Sequence, residues 1–451
     1  MIDKALPHRL LAYYGDDLTG STDAMEVVAR AGLSTVLFLV PPDEAMLAQF
    51  AAARVFGLAG ISRSQTPAWM RETLPDIYRC LRSIGARFVH YKVCSTFDSA
   101  PHIGNIGEAA RLGMEVFANR PVPLAVGAPA LRRYVAFGNL FAGIGDTRYR
   151  IDRHPVMSRH PVTPMAEADL RLHLAVQAPL SVGLVDLVSL TRLDPASNWL
   201  QQVERNRDLL LFDTVDQTTL TQVGALLWSL ARAEAPTFVV GSSGIEYALV
   251  AVWRAMGLLP PTPDLAPPSP VERLLVISGS CSPVTQTQIM TALGSGFAGL
   301  HIDPHQLMGS TSVLEDLIER SVQYLARGQD LLLYTAAGPA DTVESGLSIA
   351  ATMAFNDRLG AMLGELLQAV LCRSDLRRVV VSGGDTSSHA TQKLGLQALT
   401  YAAPLAPGCP LCRAHGDGQT RAGLEIALKG GQMGQDDVFL RAKGLPASAL
   451  N

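Results

Sequence analysis

The chain has 451 residues, 48% hydrophobic and 17% charged, with a mean hydropathy of +0.19, so it can bury the cores of two or three domains. Its 37 basic and 41 acidic residues leave a formal net charge of −4, which gives no support to a nucleic-acid or membrane-surface partner. Six cysteines in so long a chain are not a disulfide framework. No apolar run is long and unbroken enough to span a bilayer, and the first residues lack the apolar core of a signal peptide. We therefore expect a soluble cytoplasmic protein.

Residues 9–20, RLLAYYGDDLTG, read as an apolar strand that emits Asp16-Asp17 and then Thr19-Gly20. The next stretch has a helical pattern, with Ser21 or Thr22 as cap, Met25, Val27, Val28 and Ala31 inside, and Gly32 as stop. With a strand at 34–40 it makes a β-α-β unit that carries paired carboxylates at a strand end. A strand at 54–60 runs into Ser62-Arg63. A helix at 66–84 leads to a strand at 87–93, which emits Cys94-Ser95-Thr96-Phe97-Asp98-Ser99. A short strand at 124–126 ends in Gly127-Ala128-Pro129.

Residues 132–165 break this rhythm, and we expect an irregular or hairpin excursion there. A helix at 166–178, strands at 182–187 and 209–213, a helix at 220–233, a strand at 237–240 and a helix at 245–256 follow. Residues 258–270, LLPPTPDLAPPSP, hold six prolines and form the expected linker between domains at 1–257 and 271–451. Beyond it, a strand at 273–277 ends in Ser278-Gly279-Ser280-Cys281-Ser282. A helix at 283–294, strands at 297–302, 330–334 and 378–381, and helices at 313–327 and 354–372 complete the pattern. The last of these strands, rich in valine, runs into Ser382-Gly383-Gly384-Asp385-Thr386. The fold class is α/β, with polar residues recurring at the ends of parallel strands.

Several glycine-rich turns in one domain favour an anion or nucleotide site, since glycine lets backbone N–H groups face a ligand. None is a phosphate loop of the G-x-x-x-x-G-K-[ST] type or a G-x-G-x-x-G fingerprint. Lys429, beside Gly430-Gly431, is either a phosphate contact or a solvated surface residue. Asp16 and Asp17 can bind hydroxyls, hold Mg²⁺ or accept a proton, or one of them can cap a helix. Arg63 and Lys92 sit on the same rim and suit a carboxylate. Arg148, Arg150, Arg153, His154, Arg159 and His160 could bind an anion or form a charged surface loop, and two histidines are too few for a structural metal site. Cys409-x-x-Cys412 lacks a second pair for zinc and a redox-fold context. There is no G-x-S-x-G elbow of a serine hydrolase.

Taken together, the sequence resembles the four-carbon acid sugar kinases. The resemblance rests on Asp16-Asp17-Leu18-Thr19-Gly20, Ser62-Arg63, Tyr91-Lys92 with Ser95-Thr96, and His160-Pro161-Val162-Thr163-Pro164-Met165. It continues through Gly279-Ser280-Cys281-Ser282, Gly383-Gly384-Asp385-Thr386-Ser387, Ala406-Pro407-Gly408 and Leu428-Lys429-Gly430-Gly431-Gln432-Met433-Gly434, in order along nearly the whole chain. It implies two domains, each built on a largely parallel sheet flanked by helices, with the active site in the cleft between them. The first would bind the acid and the second ATP with Mg²⁺. The implied reaction is phosphorylation of a terminal hydroxyl of a four-carbon aldonate such as threonate or erythronate.

By this resemblance Asp16, Asp17, Arg63, Lys92, Ser95 and Thr96 would face the acid, and Asp16 or Asp17 would take the hydroxyl proton. Ser280, Ser282, Gly383, Gly384, Asp385, Thr386 and Gly408 would contact nucleotide, Lys429 a phosphate, and Asp385 the metal. A homodimer is compatible with this reading. The sequence departs from the family pattern where Cys94 replaces the usual aspartate and Asp98 the usual arginine. Those changes leave a non-catalytic sugar-acid sensor as the rival, with a dehydrogenase of atypical dinucleotide site behind it.

Overall fold

Short apolar runs that end in small polar turns fold as parallel strands, because a strand buried on both faces has no need of alternation. The structure, a computed structural model, describes residues 8–160, 162–192, 206–232, 234–338, 349–416 and 423–445. In chain order its first strands are β1 (Leu11–Gly15), β2 (Thr35–Phe38), β3 (Val55–Ala59), β4 (Phe88–Lys92) and β5 (Val122–Ala125). Next come β6 (Arg133–Ala136), β7 (Asn139–Ile144), β8 (Thr147–Arg150), β9 (Val182–Val185), β10 (Leu209–Phe212) and β11 (Thr237–Gly241). The remainder are β12 (Leu275–Ser278), β13 (Ala298–His301), β14 (Leu331–Tyr334), β15 (Arg378–Ser382), β16 (Leu396–Ala406), β17 (Cys409–Gly416) and β18 (Glu425–Lys429).

The chain divides into two compact units between Pro263 and Asp264, and Leu37–Val40 groups with the second. That short segment belongs there because Leu37 and Phe38 pair antiparallel with Leu399 and Ala398. In the first unit β1 is buried at every position and lies parallel between β3 and β4. The parallel order continues from β4 through β11, β5 and β10 to β9. Helices Leu18–Arg30, Pro67–Ser83, Ile106–Phe117 and Gln217–Leu230 connect successive strands, and Gly244–Ala255 follows β11. The second unit runs β13, β14, β12, β15, β18 in parallel, then β17 and β16 antiparallel.

Three expectations change. The first helix starts at Leu18, not after Ser21, because extended Asp17 is the cap and accepts from Gly20 N–H. The hydroxyls of Ser21 and Thr22 instead turn back to the carbonyls of Asp17 and Thr19. The excursion at 132–165 narrows to its hairpin alternative: β6, β7 and β8 form an antiparallel sheet, joined to the rest where Val135 and Thr214 exchange backbone hydrogen bonds of 2.8 Å. The helix expected at 166–178 shrinks to Leu170–Ala175. Sequence reading also missed β16, β17 and β18, whose alanines and prolines have weak strand preference and which form by pairing beside β15. Over 258–270 the backbone is neither helix nor strand. Among the described residues no helix is long and apolar enough to cross a membrane.

Two helices of the first unit pack closely enough to exclude a methyl group. A Cβ added at Gly224, in helix Gln217–Leu230, would lie 2.0 Å from the carbonyl oxygen of Ala248 in helix Gly244–Ala255. Gly224→Ala should therefore cost about 1–3 kcal/mol through overpacking, read as a lower Tm. A Tm at or above wild type would show that these helices have room between them.

Candidate active site

Because β1, β3 and β4 are parallel neighbours, Asp16, Arg63 and the segment after Lys92 emerge along one edge of the first sheet. Backbone bonds fix the edge: Asp16 N–H donates to Lys92 O at 2.9 Å and Arg63 N–H to Asp16 O at 3.1 Å. Four carboxylates, Asp16, Asp17, Asp23 and Asp98, face two cations, Arg63 and Lys92, around this edge.

Asp17 is fully engaged. Its Oδ1 accepts from Gly20 N–H at 2.8 Å, and its Oδ2 accepts from Thr19 Oγ1 at 2.7 Å and Arg63 Nη1 at 3.1 Å. Gly20 must be glycine, since a Cβ would stand 2.4 Å from Asp17 Oδ1 and 3.0 Å from Lys92 Nζ. The other end of Arg63 donates from Nη2 to buried Asp98 at 2.9 Å. Asp98 also accepts from Thr96 Oγ1 at 2.5 Å and Thr163 Oγ1 at 3.4 Å. Burial alone would raise the Asp98 pKa, but Arg63, Thr96 and His160 outweigh it and hold it at about 2. Asp98 thus orients Arg63.

Lys92 is buried and donates to Val93 O at 2.9 Å, with Asp23 at 3.9 Å. Burial works against its charge, but Asp23, Asp16 and Asp17 outweigh burial and raise its pKa. Asp16 differs from its neighbours. It is buried, neither of its carboxylate oxygens accepts a hydrogen bond among the described residues, and Oδ1 is wholly enclosed. Burial, then the charge of Asp17, push its pKa up to about 7 against the pull of Arg63 and Lys92. Ser95 lies half-buried in the turn after β4, and the Cys94 thiol is 3.0 Å from Thr96 Oγ1.

Of the 148–160 run, His160 joins this network: its Nδ1 accepts from Thr163 N–H at 3.1 Å and lies 3.0 Å from Thr163 Oγ1. The arginines serve elsewhere: Arg150 pairs with Asp152, and Arg148 lies over Tyr134. His154 accepts backbone N–H groups at Nδ1, a turn-forming role. Sequence reading missed Asp23 because it sits inside a helical repeat. It also missed the buried pair His90–Glu246, at 2.7 Å, because its partners are 156 residues apart.

In the second unit, loops separated by more than a hundred residues meet. β12, β15 and β18 are parallel neighbours, so Ser278–Ser282, Ser382–Thr386 and Lys429–Gly431 share one edge. β17 runs antiparallel to β18, which brings the Gly408 turn, φ +74, to that same edge. Ser282 caps helix Pro283–Gly294 through Thr285 N–H and also donates to Gly431 O. Ser280 Oγ lies 3.1 Å from Thr285 Oγ1. A Cβ at Gly279 would lie 2.2 Å from Thr386 Oγ1, and one at Gly431 would lie 2.7 Å from Ser280 Oγ. Gly383, φ +120, opens helix Gly384–Lys393 with no side-chain cap. Two helix N-termini therefore start at adjacent strand ends, an arrangement that favours phosphate.

Lys429 is fully buried, which removes the solvated-surface alternative. Its Nζ donates to Thr285 Oγ1 at 3.1 Å and to the carbonyls of Gly430 and Met433 at 3.0 and 3.3 Å. Burial lowers its pKa to about 8. Asp385 lies in helix Gly384–Lys393, but its side chain falls outside the described residues. Among the described residues no three His, Cys, Asp or Glu side chains could jointly hold a metal ion. A Mg²⁺ that arrived with the nucleotide would take few ligands from the protein and most from phosphate and water. Cys409 and Cys412 are buried on β17 without a disulfide, and their odd spacing puts them on opposite faces of the strand.

The Asp98 pair gives a stability test. Its folded pKa lies below the unfolded value of about 3.9, so its contribution is present above pH ~4 and lost as pH falls through about 2. Asp98→Asn should cost about 2–3 kcal/mol at pH 7 and flatten the acid-side loss of stability, measured by denaturant unfolding at several pH values. An unchanged acid limb would show that Asp98 carries no such linkage.

Comparison with known proteins accords with this two-part arrangement. A sugar-binding N-terminal domain family matches residues 11–249, and a nucleotide-binding C-terminal domain family matches residues 275–439. The chain is 45% identical over 439 residues to a 3-oxo-isoapionate kinase of Paraburkholderia graminis, covering 95% of this chain and 93% of that one. It is 30% identical to a 3-oxo-tetronate kinase of Cupriavidus necator, covering 96% of each. Solved structures from Salmonella typhimurium LT2 and Haemophilus influenzae, each 23% identical, share the fold with TM-scores of 0.76 and 0.68. The first covers 96% of this chain and 98% of its own, and the second 96% and 99%. The chain belongs to the four-carbon acid sugar kinase family, with a sugar-binding N-terminal domain and a nucleotide-binding C-terminal domain.

Proposed function

We propose that the protein is an ATP-dependent kinase that phosphorylates a hydroxyl of a 3-oxo sugar acid, with 3-oxo-isoapionate preferred. The substrate class follows its 45% identical relative rather than the plain aldonates threonate and erythronate. The observation that carries the mechanism is the Asp16 carboxylate, which is buried, accepts no hydrogen bond among the described residues and has a pKa raised to about 7. A base with a pKa near working pH is suited to take a proton from an attacking alcohol, a step worth about 10²–10⁴-fold. Asp17 is the poorer candidate, because its lone pairs already serve Gly20, Thr19 and Arg63.

In this mechanism Asp16 orients the acceptor hydroxyl and removes its proton as the bond from that oxygen to the γ-phosphorus forms and the bond from the γ-phosphorus to the β-γ bridging oxygen breaks, with ADP as the leaving group. Arg63 and Lys92 offset part of the aspartate charge and hold Asp17, Asp98 and Asp23 in place. Ser95 and Thr96 offer hydroxyls to the acid from the turn after β4. Backbone N–H groups of Gly383, Gly384 and Thr386, with Ser280, Ser282 and Gly408, bind the nucleotide, and Asp385 assists the metal. Lys429 acts beneath them by tying the 430–433 loop to Thr285. A Mg²⁺ ion held with the help of Asp385 would supply charge neutralisation for the transfer.

ADP release with Mg²⁺ and ATP should be measured on 3-oxo-isoapionate, 3-oxo-tetronate, threonate and erythronate. The expected order of kcat/KM places the two 3-oxo acids above the other two and 3-oxo-isoapionate first. Tight binding of an acid with no ADP released from any of them would overturn the kinase reading in favour of a sensor.

A further inference from the structure

The aspartate cluster poses a charge problem for an anionic substrate. Both terminal nitrogens of Arg63 already serve carboxylates, and the buried Lys92 faces Asp23. A substrate carboxylate placed there meets more negative than positive charge. Another cation is needed within reach, and the first unit holds one.

Arg133 opens β6, directly after the Gly127-Ala128-Pro129 turn at the end of β5. Its backbone exchanges two hydrogen bonds with Ala128, at 2.9 and 3.2 Å, which fixes it on that rim. β5 is next to β11, and β11 is next to β4, the strand that leads to Cys94 and Asp98. The side chain turns inward. Its Nε is buried without a hydrogen-bond partner, and only Nη1 is engaged, by the carbonyls of Leu131 and Arg132 at 3.0 and 3.3 Å. No carboxylate pairs with it among the described residues. Burial disfavours its charge, with Cys94 and Asp98 close enough to favour it in part. A guanidinium in this state has a free donor edge and a strong preference for an anion.

We propose that Arg133 binds the carboxylate of the acceptor acid, through Nε and Nη2, while Arg63 and Lys92 remain committed to the aspartates. This rests on the sugar-acid kinase reading above. It makes Arg133 the residue that separates acids from neutral sugars of the same shape.

The test uses Arg133→Met, which keeps length and loses charge, and Arg133→Lys, which keeps charge and loses the fork. Binding of 3-oxo-isoapionate and of its neutral carboxamide is measured by titration calorimetry without ATP, and KM and kcat are then measured with ATP. Losing one charge-assisted contact should weaken acid binding about 10- to 100-fold in Arg133→Met. The carboxamide should bind all three proteins alike, Arg133→Lys should recover part of the loss, and the KM for ATP should not move. A purely structural role for Arg133 would weaken acid and carboxamide equally, and would overturn the assignment. So would an Arg133→Met protein that binds the acid as wild type does. If wild type binds the acid selectively through Arg133 but releases no ADP, the kinase reading fails while the assignment stands.

Discussion

The first unit is organised around an excess of buried carboxylates over cations. Asp16, Asp17, Asp23 and Asp98 crowd an edge that Arg63 and Lys92 offset in part. Such a group of charges cannot all be satisfied, and the shortfall falls on Asp16 and Asp23, each with an enclosed Oδ1 that accepts no hydrogen bond among the described residues and a pKa raised first by burial. Asp98 is held ionised by Arg63, and Asp17 is consumed as a helix cap. Asp16 accepts no side-chain hydrogen bond among the described residues, and burial and Asp17 raise its pKa to about 7. The cost in stability is of the kind that functional sites carry. A raised aspartate pKa favours the protonated folded form, so this term stabilises the fold at low pH and is lost as pH rises through about 7.

The second unit presents glycine-rich strand ends and helix starts at its edge. Strand ends supply glycines whose absent Cβ atoms let loops touch, and two helices begin where the loops meet. Its buried lysine, Lys429, faces inward to carbonyls and fixes the loop. Backbone N–H groups at these two helix starts suit a phosphate. An anion bound this way is recognised by shape and dipole more than by net charge.

Much of this was legible in the sequence because strand–turn punctuation is local. Asp16-Asp17, Ser62-Arg63 and the 278–282 and 382–386 loops announce themselves by an apolar run followed by small polar residues. The pairing of Asp98 with Arg63 was not legible. Asp98 looked like the loss of a basic residue, and only the fold shows it 2.9 Å from Arg63 as the residue that orients it. Arg133 was hidden for a similar reason. It sits at the start of the stretch expected to be an irregular or hairpin excursion, and a hairpin pattern alone does not show that its Nε is buried. β16, β17 and β18 were missed because alanine and proline obscure strand character that tertiary pairing restores.

The account stands on the proton affinity of Asp16. The most direct measurement is the pH dependence of kcat/KM for 3-oxo-isoapionate, taken together with the stability of Asp16→Asn. The account predicts a rate that climbs with pH and levels off above a midpoint near 7, and an Asn variant that is nearly inactive yet at least as stable as wild type at pH 8. A profile already flat from pH 5, or an Asn variant of near-normal turnover, would contradict it.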